Sequence, residues 1–181
     1  MRGAGLFGGT FFALPAVPAA PAVYFAYGSN LDPERLRARV PGARLVGAAR
    51  LRGYALVFAS RPAASGFGFD GRPGVANIVP RPGAVVFGAL YGLTPAALRD
   101  LDLFEGTPHV YRRVCLRPQR HAARTCEAAA VYQMPATPLR APTAMYADYL
   151  RRGYAFWGLP VVPLETALAA AGYVDTPPHR G

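Results

Sequence analysis

Residues 23–39 have the sequence VYFAYGSNLDPERLRAR, which predicts a strand, a turn and a helix in succession. Residues 23–27 are apolar and rich in β-prone types, so they predict a short buried strand that Gly28 ends. The run Asp-Pro-Glu at residues 32–34 then supplies an N-cap, a first-turn proline and an acidic first turn. This pattern predicts a helix over residues 33–39.

Further along the chain, strands mostly follow strands and helices are inserted between them. The sequence predicts strands at residues 43–49, 53–60, 75–79, 85–93, 110–117 and 126–134, and helices at residues 95–105, 143–156 and 164–171. The strands at 75–79 and 85–93 are expected to form a hairpin that turns through Pro80-Arg81-Pro82-Gly83. The fold class is therefore predicted to be α+β, with a curved, mostly antiparallel β-sheet or small barrel and flanking helices.

Length and composition fit one domain. The chain has 181 residues, of which 52% are hydrophobic and 17% charged, which is enough to bury a sizeable core. Residues 1–22 are rich in Gly, Ala and Pro and are expected to be a disordered leader or a weak signal-like segment. Residues 23–181 form the single predicted domain. No apolar run reaches the length of about 18 residues that indicates a membrane span.

The formal charge of +10 comes entirely from arginine, because all 20 basic residues are Arg. These arginines are scattered along the chain, and no aromatic-plus-basic RNA signature accompanies them. A solvated basic surface is therefore favoured over a nucleic-acid footprint.

The two cysteines, Cys115 and Cys126, lack the spacing of a metal site. They are expected on neighbouring strands as a buried pair of free thiols, with a disulfide left open. Free thiols are typical of a reducing compartment, so a cytoplasmic location is expected. Export is the alternative if residues 1–22 are a signal peptide.

The turn Gly28-Ser29-Asn30-Leu31 is the first candidate for chemistry, because it lies between a buried strand and a capped helix. A glycine lets the backbone bend sharply and present N–H groups outward. Those groups and the following helix N-terminus suit a carboxylate or an oxyanion. An ordinary strand-to-helix turn explains the same residues and stays open.

Glu105 is the second candidate. It follows the apolar segment Leu101-Asp102-Leu103-Phe104 and is predicted to be the last residue of a helix. The helix dipole, the apolar neighbours and Asp102 all disfavour the ionised carboxyl and so predict a raised pKa. Such a carboxyl can take a proton from an ammonium and return it later. A solvated glutamate at a helix end is the alternative.

The segment Tyr27-Gly28-Ser29-Asn30-Leu31 resembles the YGSNL signature of the gamma-glutamylcyclotransferase-like family. Leu101–Gly106, with the sequence LDLFEG, is similar to the L-D-x-x-E-G segment that carries the family's catalytic glutamate. The order of the two motifs and their separation of about 75 residues agree with the family. Weaker collinear matches extend the resemblance over about residues 23–160.

The resemblance implies an enzyme that forms 5-oxoproline. The α-amine of a gamma-glutamyl group attacks its own side-chain carbonyl, and a free amine or amino acid is released. Glu105 would be the general acid/base, and the implied substrate-binding residues are Tyr27, Gly28, Ser29, Asn30, Leu31 and Tyr132. Each of the two tyrosines also has a simple core-packing explanation. No metal or cofactor is required.

The resemblance also limits the partners. It implies a small-molecule gamma-glutamyl substrate. The scattered arginines and the lack of a long apolar run argue against a nucleic acid or a membrane as a partner, and a homodimer is left open. The leaving amine is not identified, and removal of a gamma-glutamyl protecting group in bacterial biosynthesis is one candidate role. The alternative function is a non-catalytic protein of the same fold that binds an acidic metabolite.

Overall fold

A computed structural model describes residues 22–63 and 68–175 of the chain. One sheet and four α-helices make up this part of the molecule. The strands are β1 (Ala22–Ala26), β2 (Arg44–Ala59), β3 (Val75–Leu93), β4 (Arg112–Leu116), β5 (Gln119–Arg120) and β6 (Ala129–Gln133). The helices are α1 (Pro33–Arg39), α2 (Pro95–Phe104), α3 (Ala144–Trp157) and α4 (Val162–Ala170), and a 3-10 turn spans Ser29–Leu31. The predicted leader, apart from Ala22, lies outside the described residues.

The six strands form an open mixed sheet in the order β4-β6-β1-β3-β2-β5. Four of the five strand pairs are antiparallel, and the pairing of β1 with β6 is parallel. The α+β class is confirmed, and the sheet stays open instead of closing into a barrel. Strand β1 lies in the middle of the sheet and pairs with β3 from Ala22↔Leu93 to Ala26↔Ala89. The 3-10 turn follows soon after β1 ends.

The predicted hairpin between residues 75–79 and 85–93 is wrong, because both segments belong to the single 19-residue strand β3. Strand β2 runs alongside both segments, pairing at Arg52↔Val85 and again at Tyr54↔Pro80. Residues 81–84 therefore form a bulge opposite Gly53, and the exposed Pro-Arg-Pro-Gly run lies on it. The two predicted strands at 43–49 and 53–60 likewise join into β2. Pairing along the whole of a neighbouring strand overrides a local turn signal.

The starts of α1, α2 and α3 agree closely with the sequence because each is set by a local cap, whereas α4 has no side-chain cap and starts two residues before its predicted start. Asp32 caps α1 by accepting from the N–H groups of Glu34 and Arg35. Thr94 and Thr143 cap α2 and α3 in the same way. Helix α2 ends at Phe104, so Glu105 is its C-cap residue, and Gly106 follows with a left-handed φ of +63°.

Helix α3 packs directly on the 3-10 turn and holds it against the sheet. A Cβ atom placed on Gly153 would lie 2.8 Å from Leu31 Cγ and 2.9 Å from the backbone nitrogen of Asp32. The Leu31 side chain is fully buried. Its carbonyl oxygen accepts hydrogen bonds from the Tyr91 hydroxyl at 3.0 Å and from Trp157 Nε1 at 3.1 Å. The turn is therefore fixed from both sides.

Cys115 and Cys126 are both free and both exposed, so the expectation of a buried thiol pair is wrong. Cys115 lies on β4 next to β6, and Cys126 forms an isolated bridge with Gln119. No helix in the described part of the chain is long and apolar enough to cross a membrane.

We expect Gly153→Ala to lower the free energy of unfolding by about 1–3 kcal/mol, because the added methyl group overpacks the contact with the 3-10 turn. Helix propensity alone predicts the opposite sign, a gain of about 1 kcal/mol for alanine. Urea denaturation of the two proteins therefore decides between the effects. A more stable Gly153→Ala protein would show that α3 does not press on the turn.

Candidate active site

Asn30 and Glu105 meet at the point where the 3-10 turn reaches the end of α2. Asn30 Nδ2 donates to Glu105 Oε1 at 2.8 Å and also to the Tyr24 hydroxyl at 3.2 Å. The other side of the same amide is occupied, because Arg39 Nη1 donates to Asn30 Oδ1 at 2.9 Å. Arg39 Nη1 also lies 3.7 Å from Glu105 Oε1. The two motifs predicted to act together are thus joined by a hydrogen bond.

Two adjoining cavities open around this contact. The inner cavity has a volume of about 30 Å³, room for one small group, and is lined largely by tyrosine side chains. The outer cavity has a volume of about 330 Å³ and is lined by three arginines and several apolar side chains. Both cavities are lined by Ser29, Glu105, Tyr111 and Tyr146. The carboxyl of Glu105 therefore lies where a molecule in the outer cavity would meet the inner one.

All but one of the predicted site residues line these cavities. The inner cavity is lined by Tyr27, Gly28, Ser29, Asn30, Tyr132 and Glu105. The exception is Leu31, whose side chain is buried in the core. The Leu31 N–H donates to the Gly28 carbonyl oxygen at 2.9 Å. Leu31 therefore anchors the turn, and its N–H group is already bonded.

Burial is the main cause of the raised pKa of the Glu105 carboxyl. The positive charges of Arg39 and Arg35 and the hydrogen bond from Asn30 oppose this rise. The predicted rise in the pKa of Glu105 is confirmed, but the causes predicted for it, which were the helix dipole, the apolar neighbours and Asp102, are only partly right. The side chains of Leu103 and Phe104 are 80% and 56% exposed and so do not enclose the carboxyl.

Asp102 faces a different environment from Glu105, although the two lie three residues apart. Its carboxylate accepts a hydrogen bond from the Tyr132 hydroxyl at 2.7 Å and is paired with Arg113 at 2.6 Å. The charge of Asp102 is therefore neutralised locally. It ties the last turn of α2 to β4 and β6 instead of raising the pKa of Glu105.

Five tyrosine hydroxyls surround the carboxyl, and burial raises the pKa of each, so all stay protonated at neutral pH. They belong to Tyr24, Tyr27, Tyr111, Tyr132 and Tyr146. Three of them donate their proton within the protein: Tyr27 to the Tyr132 carbonyl oxygen, Tyr111 to the Ala76 carbonyl oxygen and Tyr132 to Asp102.

The other two hydroxyls act as acceptors. Tyr24 accepts from the Asn30 side chain, and Tyr146 accepts from the Ala76 N–H at 3.1 Å. Because a hydroxyl that accepts still holds its own proton, Tyr24 and Tyr146 can each donate to a group in the inner cavity.

Sequence reasoning missed several residues of the site: Tyr24, Arg35, Arg39, Tyr111 and Tyr146. The arginines carried a usable signal, because Arg35 and Arg39 are four residues apart on the predicted helix and so share one face. Tyr111 and Tyr146 carried no local signal, since one precedes β4 and the other lies on α3, both far along the chain from the turn. Within the described residues, no three His, Cys, Asp or Glu side chains gather as a metal site would require.

Comparisons with known proteins point to one family. A family model described as gamma-glutamyl cyclotransferase, AIG2-like, matches residues 24–151. Relatives named gamma-glutamylcyclotransferase from Bos taurus and Homo sapiens are 32% and 30% identical over 142 residues, covering 77% of this chain and 73% of each relative. A solved structure named gamma-glutamyl cyclotransferase gives a TM-score of 0.70 at 25% identity, covering 89% of this chain and 92% of the other. A crystal structure of an uncharacterised protein from Homo sapiens also gives 0.70, at 26% identity, covering 90% of this chain and 92% of the other.

We expect Glu105→Gln to be more stable than the wild-type protein at neutral pH. The folded-state pKa of Glu105 is raised by burial, so ionisation of this carboxyl destabilises the fold once the pH rises above its unfolded-state pKa. The difference in melting temperature should therefore shrink as the pH falls through the raised folded-state pKa, and it should be lost below about 4.5, the unfolded-state value.

Calorimetry at several pH values measures this difference, with the exposed Asp100→Asn as the control for loss of a negative charge. Equal stability of Glu105→Gln and the wild-type protein at neutral pH would contradict the raised pKa.

Proposed function

The chain belongs to the gamma-glutamyl cyclotransferase, AIG2-like family, and we propose that it releases 5-oxoproline from a small gamma-glutamyl compound at Glu105. It is thus an enzyme of the gamma-glutamylcyclotransferase class. In this reaction the α-amine bonds to the side-chain carbonyl carbon of the same glutamyl group, and the bond from that carbon to the departing nitrogen breaks. Holding the glutamyl chain curled favours this ring closure.

The observation that carries the proposal is that the Glu105 carboxyl is held by one oxygen only. Oε1 accepts from Asn30, whereas no hydrogen bond from residues 22–63 or 68–175 reaches Oε2. One oxygen thus fixes the carboxyl and the other can exchange a proton. Glu105 takes a proton from the attacking amine and delivers it to the departing nitrogen, which leaves as a neutral amine.

The turn and two tyrosines supply donors for the glutamyl group. No backbone carbonyl in the described part of the chain accepts from the N–H groups of Gly28 or Asn30, whereas Ser29 already bonds to the Tyr146 hydroxyl. These groups can bind the glutamyl carboxylate or the oxyanion that forms on the side-chain carbonyl. The hydroxyl protons of Tyr24 and Tyr146, for which the described residues provide no acceptor, can serve the same role. Tyr27 and Tyr132 line the cavity, but their protons are already donated.

The outer cavity accommodates the departing amine. Its charged lining consists of Glu105 and the arginines Arg35, Arg39 and Arg61. Arg61 lies 3.1 Å from Asp70, and Arg39 is bonded to Asn30, whereas the buried Nε of Arg35 has no partner among the described residues. This excess of positive charge favours a leaving group that bears a carboxylate over a cationic polyamine. Removal of a protecting group from a biosynthetic amine stays a second candidate role.

We also propose that the chain acts in the cytoplasm of a bacterium and does not bind nucleic acid. Both cysteines are free thiols, which fits a reducing compartment. Many arginines are already paired with carboxylates, among them Arg113, Arg120, Arg151 and Arg152. These pairs reduce the positive charge that is free to contact phosphates. Whether the enzyme forms a homodimer stays an open proposal.

Glu105→Gln should lower kcat for 5-oxoproline formation by about 10²–10⁴-fold, because the amide keeps the shape but cannot carry the proton. Mass spectrometry of 5-oxoproline after incubation with a panel of gamma-glutamyl amino acids and amines measures the effect. The control is Asp100→Asn, which removes an exposed carboxylate from the same helix. Wild-type turnover by Glu105→Gln would exclude the proposed role, and no product from any panel member would favour the binding-protein alternative.

The wild-type enzyme should use gamma-glutamyl-alanine better than gamma-glutamyl-alaninamide by about tenfold in kcat/KM. A carboxylate gains a charge-assisted hydrogen bond to an arginine that the neutral amide lacks. Arg35→Met should reduce this preference, mainly by lowering activity on the carboxylate substrate. Equal use of both substrates by the wild-type enzyme would show that the arginines of the outer cavity do not bind the leaving group.

A further inference from the structure

The Asn30 side chain is an amide and therefore has two orientations of similar shape. In one orientation the NH₂ group faces Glu105, and in the other the carbonyl oxygen does. Only the first gives a hydrogen bond to an ionised carboxylate, because the second places two acceptors against each other. Asn30 is 4% exposed, so water does not compensate for the wrong choice. A neighbouring group must therefore fix the orientation of the Asn30 amide.

Arg39 is the group that fixes it. Its Nη1 donates to Asn30 Oδ1 at 2.9 Å, and a guanidinium can donate but cannot accept. The opposite orientation would bring the Asn30 NH₂ group against the guanidinium, donor against donor. Arg39 itself is held over the exposed ring of Phe104, with the guanidinium carbon 5.6 Å from the ring centre.

We propose that Arg39 is a positioning residue, which acts through Asn30 to hold the Glu105 carboxyl by Oε1 and places its positive charge 3.7 Å from that oxygen. This inference rests on the proposed function of Glu105 as the proton acceptor. Arg39 is itself placed by α1, since it is the last residue of that helix. The strong cap at Asp32 thus helps to set the geometry of the active site.

The charged and titratable groups that face Glu105 come from every element around it. They are Arg35 and Arg39 of α1, Tyr24 of β1, Tyr27 beside the turn, Tyr111 before β4, Tyr132 of β6 and Tyr146 of α3. The tyrosines are neutral at neutral pH, so the arginines are the only groups of this set that favour the charged carboxyl, together with the hydrogen bond from Asn30. Arg35 is positioned differently, with its guanidinium 4.0 Å from the centre of the Tyr149 ring. Of the two cations, Arg39 alone also contacts Asn30.

The sign of the effect follows from the role of the base. Glu105 must be ionised to accept a proton, so activity falls as the pH drops through its pKa. Removing the nearby cation raises that pKa further. Arg39→Met should therefore lose activity at a higher pH than the wild-type enzyme. Its kcat/KM relative to wild type should be about tenfold lower at acid pH than at alkaline pH.

The test records kcat/KM against pH for the wild-type enzyme, Arg39→Met, Arg39→Gln and Arg37→Met. Arg39→Gln keeps a donor for Asn30 without the charge, so it should show the shifted profile with less loss at alkaline pH. It also serves if Arg39→Met does not fold. Arg37→Met removes an exposed arginine from the same helix and should leave the profile unchanged. A profile for Arg39→Met and Arg39→Gln that coincides in shape with the wild-type profile would overturn the proposal.

An NMR titration of the Glu105 carboxyl carbon, identified by its absence in Glu105→Gln, gives a readout that needs no turnover. Glu105 should titrate at higher pH in Arg39→Met than in the wild-type protein, and the side-chain NH₂ signals of Asn30 should lose the shift caused by the carboxylate. Unchanged titration and unchanged Asn30 signals would overturn the proposal. A protein that makes no 5-oxoproline but shows both changes would instead refute the proposed function and leave the coupling of Arg39 to Glu105 intact.

Discussion

The hydrogen bond from Asn30 to Glu105 joins segments 75 residues apart, and the dimensions of two elements make it achievable. Helix α2 begins just after β3 ends at Leu93, which pairs with Ala22 at the start of β1. A ten-residue helix is about 15 Å long, and the five-residue strand β1 covers about 17 Å. Helix α2 and strand β1 start at the same end of the sheet and extend over nearly the same distance. The C-cap of α2 therefore lies beside the turn that follows β1.

The same arrangement carries a cost in stability that the surrounding contacts offset. A largely buried carboxyl opposes folding when it is ionised, and the N–H groups of Gly28 and Asn30 in the turn beside it have no backbone acceptor among the described residues. The 3-10 turn is therefore fixed by groups outside the cavity, through the fit of Gly153 and the hydrogen bonds to the Leu31 carbonyl. Asp102 fixes the end of α2 through Tyr132 and Arg113. These contacts hold the turn and the end of α2 in place, so the groups that line the cavity are not needed for that purpose.

The sequence predicted those parts of the structure that local interactions decide. The bounds of α1 were predicted correctly because Asp32, Pro33 and the next glutamate determine them within one turn. The hairpin in β3 was predicted wrongly because Pro80–Gly83 is a turn signal only when no long neighbouring strand pairs across it. The predicted turn and Glu105 do lie together, as the family resemblance implied. Tyr111 and Tyr146 could not be assigned, because only the tertiary fold brings them to the same cavity.

The pair Asp102 and Glu105 shows why the raised pKa could be predicted in direction but not in cause. Both are carboxyl residues at the C-terminal end of α2, Asp102 in its last turn and Glu105 at its C-cap, so local sequence does not separate their environments. In the structure Asp102 is neutralised by Arg113 and by a tyrosine hydroxyl, whereas Glu105 is buried among neutral tyrosines with one oxygen unbonded within the described residues. A helix dipole or a neighbouring charge would act on both. The difference in environment, and not the residue type or the helix end, therefore gives Asp102 a structural role and leaves Glu105 with an oxygen that the proposed proton transfer can use.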